Sequence, residues 1–327
     1  MQVVVTGGAG MLGKKLIKAI LKKGTLAGKD GQQVKVERIQ VLDVVPSADL
    51  PNDPRVTYTQ GEVYDAALIK KLIAPGTGSV FHFAAVVSAG AEADTNLGYR
   101  VNLDGTRVVL DACRALGSTP RVVFTSSVAV YGGEMPAVIP DDFPLRPQTS
   151  YGSQKAMGEL LLNDYTRKGF IDGRALRLPT IVVRPGKPNL AASTFASSII
   201  REPLSGQEAV CPVDPKTMMP LLSPRKTIEA FLRAHDLPGS IWGWNRALHL
   251  PSLDVSVNEM AEGLKKVAGA EAYGRIKWQI EPRIQQIVAT WPGRLDSKRA
   301  RSMGFESDAS VEAIINAFIE DDLRPNA

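Results

Sequence analysis

Cysteine is scarce in this chain. Only Cys113 and Cys211 occur among 327 residues, which excludes a disulfide framework and suits a reducing compartment. No run reaches the roughly 18 uninterrupted apolar residues of a membrane span. The opening MQVVVTGGAG lacks a basic start, a long apolar core and a cleavage site, so no secretory leader is expected. These absences together point to a cytoplasmic protein with no membrane partner. The net charge is +5, but lysine and arginine are scattered, with no basic run interleaved with aromatics. The charge therefore favours small acidic ligands and does not argue for nucleic acid. Histidine is limited to three residues. His235 and His249 stand alone, without metal-ligand spacing to cysteine or carboxylates, so no metal is expected. His82 sits in an apolar run and reads as a packed strand residue.

What is present is the composition of an ordinary globular protein. Hydrophobic residues make up 44% and charged residues 22%, enough for one large domain or two closely joined ones. In the first half, apolar β-branched runs alternate with helical periodicity. Strands are expected at 3–6, 38–44, 79–84, 121–126 and 174–183, and helices at 14–23, 99–116 and 151–168. Such alternation implies right-handed crossovers and a parallel sheet covered on both faces. The polar stretch 24–37 reads as a surface insertion. Beyond residue 184 prolines multiply and clear strands are few. Helices are expected at 223–235, 257–268 and 310–320, with a short strand at 247–251; the last two helices have a capping serine or aspartate before them. The expected fold class is α/β, a doubly wound parallel sheet of the Rossmann type with a smaller C-terminal α/β substrate lobe. The dinucleotide-binding domain is expected at 1–178 with a return segment at 226–251, and the lobe at 179–225 and 252–327.

Two local patterns carry chemistry. Thr6-Gly7-Gly8-Ala9-Gly10-Met11-Leu12-Gly13 follows the first strand and opens the first helix. Gly7 permits a tight turn, Gly10 removes the Cβ that would block a pyrophosphate, and Gly13 lets helix and sheet approach. The phosphates then meet the free N–H groups of the helix start, at Met11 and Leu12. Asp43 ends the second strand, where a carboxylate accepts bonds from both ribose hydroxyls and repels a 2′-phosphate. NAD is therefore expected over NADP. The second pattern is Tyr151 and Lys155, four residues apart and on one helix face. A nearby ammonium stabilises a phenolate and makes Tyr151 a general base at physiological pH. Thr125, Ser126 and Ser127 close a strand, at the sheet end where ligands gather.

These residues resemble the extended short-chain dehydrogenase/reductase family. The resemblance rests on the glycine turn, His82-Phe83-Ala84-Ala85, Val101-Asn102-Leu103-Asp104-Gly105-Thr106, the serine segment running to Val130-Tyr131-Gly132, the Tyr151–Lys155 pair, and the run from Leu176-Arg177-Leu178-Pro179 to Arg184-Pro185-Gly186. It covers about residues 1–190 strongly and the remainder by layout. It implies Tyr151 as base, with Lys155 binding the nicotinamide ribose. Ser127 is implied as the substrate serine in preference to Ser126, because it stands four residues before Tyr131. Ala84 and Ala85 are implied beneath the adenine ribose, Glu62 and Val63 at the adenine edge, and Pro179 beside the carboxamide. Glu62 departs from the aspartate of many relatives by one methylene. Ser88, Thr180 and Arg184 complete the implied substrate set, Arg184 or Lys187 holding a carboxylate. A homodimer through the helices at 102–116 and 151–168 is implied as well. The run from Arg184 to Ser193, with 199–204 after it, resembles the sugar-acid dehydrogenases of this family. That implies oxidation of the 2-hydroxyl of a small acidic sugar substrate, D-erythronate to 2-oxo-tetronate. The alternatives are a UDP-sugar 4-epimerase holding NAD tightly and a non-catalytic NAD-sensing scaffold.

Overall fold

The computed structural model of the protein describes residues 1–46, 49–186 and 192–324. In chain order the first elements are β1 (Gln2–Thr6), α1 (Met11–Lys23), β2 (Thr25–Ala27), β3 (Gln33–Lys35), β4 (Arg38–Asp43), β5 (Val56–Gln60), α2 (Ala66–Leu72) and β6 (Thr77–His82). Then come α3 (Ser88–Ala93), α4 (Thr95–Gly98), a π-turn at Tyr99–Asp104, α5 (Gly105–Ala115), β7 (Arg121–Ser127), α6 (Ser150–Arg167), β8 (Asp172–Leu178) and β9 (Thr180–Ile181). The remainder is α7 (Thr194–Leu204), β10 (Ala209–Cys211), β11 (Met218–Leu222), α8 (Pro224–Asp236), α9 (Gly239–Trp242), β12 (Ala247–His249) and β13 (Leu253–Ser256), followed by α10 (Val257–Gly274), β14 (Ile276–Trp278), α11 (Pro282–Ala289), α12 (Lys298–Ser302) and α13 (Val311–Phe318).

Among the described residues the main sheet has the order β12-β8-β7-β6-β1-β4-β5. β1 pairs in parallel with both β4 and β6, β4 with β5, and β6 with β7. The chain leaves β1 towards one edge and then returns to build the other, so the order reverses between β1 and β6. That is where doubly wound sheets bind their ligands. Val3, Val4 and Val5 are wholly buried, as burial on both faces requires. The expected α/β class is borne out. β5 and α2 were absent from the sequence reading, because Val56–Gln60 is a half-exposed edge strand with threonine, tyrosine and glutamine in place of an apolar run.

The chain divides into two compact units. The first holds Met1–Val130, Pro147–Arg177 and Ile228–Leu248; the second holds Tyr131–Arg146, Leu178–Thr227 and His249–Ala327. The segment Tyr131–Arg146 therefore leaves the first unit, in which the sequence reading had kept it. Its bonds explain why: Tyr131 pairs with His249 Nδ1 at 2.9 Å, Ile139 bridges to Leu295, and Asp141 accepts from the Arg299 N–H at 2.8 Å. In the second unit β11 is flanked by β9 and β13, and a core of Phe195, Ile199, Leu221, Met260, Ile315 and Phe318 lies buried beside them. The strand expected at 174–183 is broken at Pro179, which lacks a ladder donor. α10 has the capping box of Ser256 and Glu259, and Gly269 at φ 83° interrupts it next to the expected end at 268.

The stretch 24–37 corrects an expectation. It is the hairpin β2–β3, and Leu26 and Ala27 are buried. The Ala27 N–H donates to Asp236 at 2.9 Å, and its carbonyl accepts from Arg121 at 2.9 Å. Arg121 belongs to a cluster around Asp172. Arg174 Nη2 stands 2.8 Å, Arg246 Nη1 3.3 Å and Arg121 Nε 3.7 Å from its carboxylate. Arg174 is wholly buried. Removing the shared anion strands three arginines, so Asp172→Ala is expected to lower unfolding free energy by about 3 kcal/mol, read by urea denaturation.

Candidate active site

Gly7 turns at φ 68°, and a Cβ there would stand 2.5 Å from the Ala84 nitrogen. The turn between β1 and α1 therefore presses against the backbone that leaves β6. A Cβ at Gly13 would meet Gly8 Cα at 2.5 Å, and one at Gly10 would stand 3.2 Å from the Gly7 carbonyl. Gly10 is the N-cap of α1, no side chain caps that end, and its first turn has no acidic residue. The N–H groups of Met11, Leu12 and Gly13 have no acceptor within the helix. This is a Cβ-free cradle with a positive helix end, and it fits a dinucleotide pyrophosphate.

Asp43 stands at the end of β4, across from this turn. One carboxylate oxygen accepts from the Ala9 N–H at 2.9 Å and the other from Val44 at 2.8 Å. Glu62 is exposed, and Val63 is buried against Gly105. The Ala84 N–H donates to Thr6 Oγ1 at 3.3 Å. Ala85 is half-buried, and Ser88 opens α3 exposed.

A chain of hydrogen bonds runs from this turn to the start of α5. Thr6 Oγ1 pairs with His82 Nδ1 at 2.7 Å, and His82 Nε2 with Thr106 Oγ1 at 2.9 Å. Thr106 spends its proton on the Asn102 carbonyl at 2.6 Å, so His82 Nε2 carries the hydrogen and Nδ1 accepts from Thr6. Asn102 then donates to Gln154 on α6 at 2.7 Å and clasps both backbone groups of Val86. Burial first, and the Lys155 charge second, push the His82 imidazole down to about 3. The expected packed role for His82 matches this geometry.

α6 carries Tyr151 and Lys155. Thr149 caps it by accepting from Gly152 at 3.0 Å. Gly152 is required here, because a Cβ would stand 2.1 Å from the Ala129 carbonyl oxygen, in the turn directly after Ser127. Lys155 is 2% exposed. Its Nζ donates to the Thr125 carbonyl at 2.7 Å and lies 4.8 Å from the Phe124 ring centre and 5.6 Å from that of Tyr151. Burial pushes the ammonium down to about 7, and the Glu159 carboxylate acts in the opposite direction. Neighbouring strand residues face opposite sides, which separates the two serines. Ser126 is buried and donates to Glu159 at 2.5 Å. Ser127 Oγ accepts from the Ala129 N–H at 3.1 Å.

Three further residues expected from the sequence lie in the second unit. Pro179 is buried between β8 and β9, and Thr180 is half-buried in register with Leu221. Arg184 Nε donates to the Ile181 carbonyl at 3.2 Å, its N–H donates to Ser197, and its carbonyl accepts from Arg201. Lys187 lies outside the described residues. Sequence reasoning missed Glu159 and Arg177; the only signal was a carboxylate one helical turn beyond Lys155.

The sequence profile of the NAD dependent epimerase/dehydratase family matches residues 3–242. The chain belongs to that family. Its cofactor is accordingly NAD, and its chemistry that of an oxidoreductase acting on a carbon-bound hydroxyl. It is 53% identical over 98% of both chains to the D-erythronate dehydrogenase of Cupriavidus necator. To the D-erythronate dehydrogenase of Haemophilus influenzae it is 42% identical, over 99% of this chain and 100% of that one. The crystal structure of the nucleoside-diphosphate-sugar epimerase from Agrobacterium tumefaciens is similar at a TM-score of 0.93 and 43% identity, covering 99% of this chain and 94% of that one.

Gly152→Ala should push the start of α6 off the Ala129 carbonyl and cut kcat/KM by roughly 100-fold, the scale of an ångström of misplacement; steady-state kinetics on a chain shown folded by circular dichroism reads this. A second expectation concerns acid. His82 is held down to about 3 and His235, also by burial, to about 4. Below the ordinary imidazole value the unfolded chain takes up protons that the folded chain refuses. Stability is therefore lost as pH falls from about 6.5 towards 4. In His82→Gln the slope of unfolding free energy against pH should shrink by about 1.4 kcal/mol per unit over that window.

Proposed function

We propose that this chain oxidises the 2-hydroxyl of D-erythronate to 2-oxo-tetronate with NAD. The observation that carries the reading is the likeness, over nearly the whole chain, to two D-erythronate dehydrogenases. The Tyr151 and Lys155 pair supplies the chemistry. Gly7, Gly10, Met11, Leu12 and Gly13 hold the pyrophosphate, Asp43 the adenosine ribose, Glu62 and Val63 the adenine edge, Ala84 and Ala85 the underside of the ribose, and Pro179 the carboxamide. When bound, NAD supplies the acceptor for the hydride from carbon 2. Tyr151 as phenolate takes the hydroxyl proton, Ser127 donates a hydrogen bond to the same oxygen, and Lys155 stabilises the phenolate. Ser88, Thr180 and Arg184 orient the acid, the guanidinium being suited to a carboxylate. The protein works as a cytoplasmic homodimer through α5 and α6, where Leu160 keeps 65% of its surface exposed. Among the described residues no helix is long and apolar enough to cross a membrane.

A second reading, a sugar-nucleotide epimerase, draws on the Agrobacterium tumefaciens structure. The two differ in electron balance. A dehydrogenase releases NADH in step with substrate, whereas an epimerase returns the hydride and shows no net reduction. Substrate-dependent NADH formation with D-erythronate and none with UDP-galactose is expected; the reverse outcome overturns the assignment. In Tyr151→Phe turnover should fall by at least roughly 100-fold, the usual range for a lost general base, while calorimetry still shows NAD uptake.

A further inference from the structure

Glu159 lies one helical turn beyond Lys155 on α6 and is 4% exposed. Ser126 Oγ donates to its Oε1 at 2.5 Å. Arg177 on β8, 5% exposed, donates Nε to Oε1 at 2.9 Å and Nη2 to Oε2 at 2.7 Å. Ser126 adjoins Thr125, whose carbonyl holds Lys155 Nζ. One buried network thus joins the ends of β7 and β8 to the middle of α6, beside the lysine of the catalytic pair. A buried ion pair is weak evidence for stability, since a packed apolar pair commonly serves as well. Its placement one turn from a buried lysine is therefore the informative fact.

We propose that Glu159 is a positioning residue for the reaction: its carboxylate keeps Lys155 cationic beside Tyr151, and Arg177 holds that carboxylate and limits its field. The proposal rests on the reading of Tyr151 and Lys155 as the catalytic pair. The titratable and charged groups facing Lys155 are Tyr151 and Glu159 on its own helix, His82 on β6, and Arg177 on β8 behind Glu159. His82 is held neutral by burial and contributes no charge at the pH of catalysis. Desolvation strips Lys155 of its preference for the ammonium form, and the Glu159 carboxylate one helical turn away acts against that loss. A lysine that lost its proton would leave the Tyr151 phenolate without its counter-charge and raise the pH at which the base becomes available.

The test is the titration of Lys155 itself, followed by the 13Cε resonance of lysine-labelled apoprotein and assigned with Lys155→Met. Glu159→Gln is expected to move that titration down by about one pH unit. Arg177→Gln should move it up, because the carboxylate field is no longer offset. The double variant Glu159→Gln/Arg177→Gln leaves no unpaired charge and should titrate below the native chain and above Glu159→Gln. If Glu159→Gln does not fold, the double variant carries the test alone, by its downward shift. The acid limb of kcat/KM against pH should rise in Glu159→Gln by less than that unit, because the lost carboxylate also ceases to repel the phenolate. A Lys155 titration unmoved in the folded variants overturns the proposal. The resonance is read without cofactor or substrate. Failure of D-erythronate as substrate with the expected order intact would therefore count against the substrate reading alone.

Discussion

A lysine ammonium shut away from water is the constraint around which the first unit is arranged. Among the described residues, the Thr125 carbonyl, the faces of Phe124 and Tyr151, and the Glu159 charge stand in for the hydration of Lys155. Those partners come from two elements, β7 and α6, which must therefore lie unusually close. Glycine makes that approach possible. Gly152 lies under the Ala129 carbonyl, and Gly158 lies against the Phe124 ring, where a Cβ would be 2.8 Å from its tip. The same closeness that desolvates the lysine sets the start of α6 beside the turn that follows Ser127.

The glycine turn after β1 is tied into the same region from the other side. Gly7 touches the backbone leaving β6, and the path through Thr6, His82, Thr106, Asn102 and Gln154 ends one residue before Lys155. Thr6, His82, Thr106 and Asn102 each both donate and accept along that path, and His82 stays neutral because burial forbids its charge. Such a chain is rigid as long as each hydrogen has one place to go. It gives the glycine turn and the helix of Tyr151 a common support in the first unit.

Away from this support the structure uses charge to fasten backbone. Asp172 gathers Arg121, Arg174 and Arg246, and those guanidiniums in turn bind the carbonyls of Ala27, Leu237 and Gly239. Segments without regular partners, including the β2–β3 hairpin and the turn after α8, are held by these bonds. The second unit relies on short strands around β11 and on capped helices, with Ser256 and Ser310 serving α10 and α13.

What could be read from the order of residues alone was whatever depends on near neighbours. The glycine turn, the i, i+4 relation of Tyr151 to Lys155, the serine caps and the buried strands all rest on local geometry, and with them came the α/β class and the family. The polar edge strand Val56–Gln60 escaped because its partner β4, not its own composition, makes it a strand. The hairpin in 24–37 escaped because the backbone of Ala27 is bonded to groups some ninety to two hundred positions away, namely Arg121 and Asp236. The passage of Tyr131–Arg146 to the second unit hangs on His249, Leu295 and Arg299. Tertiary structure alone showed that Ser126 is bound to Glu159, and joined Glu159 to Arg177. Hydrogen bonds and ion pairs of this kind form between side chains that only folding brings within 3 Å, so no local pattern announces them.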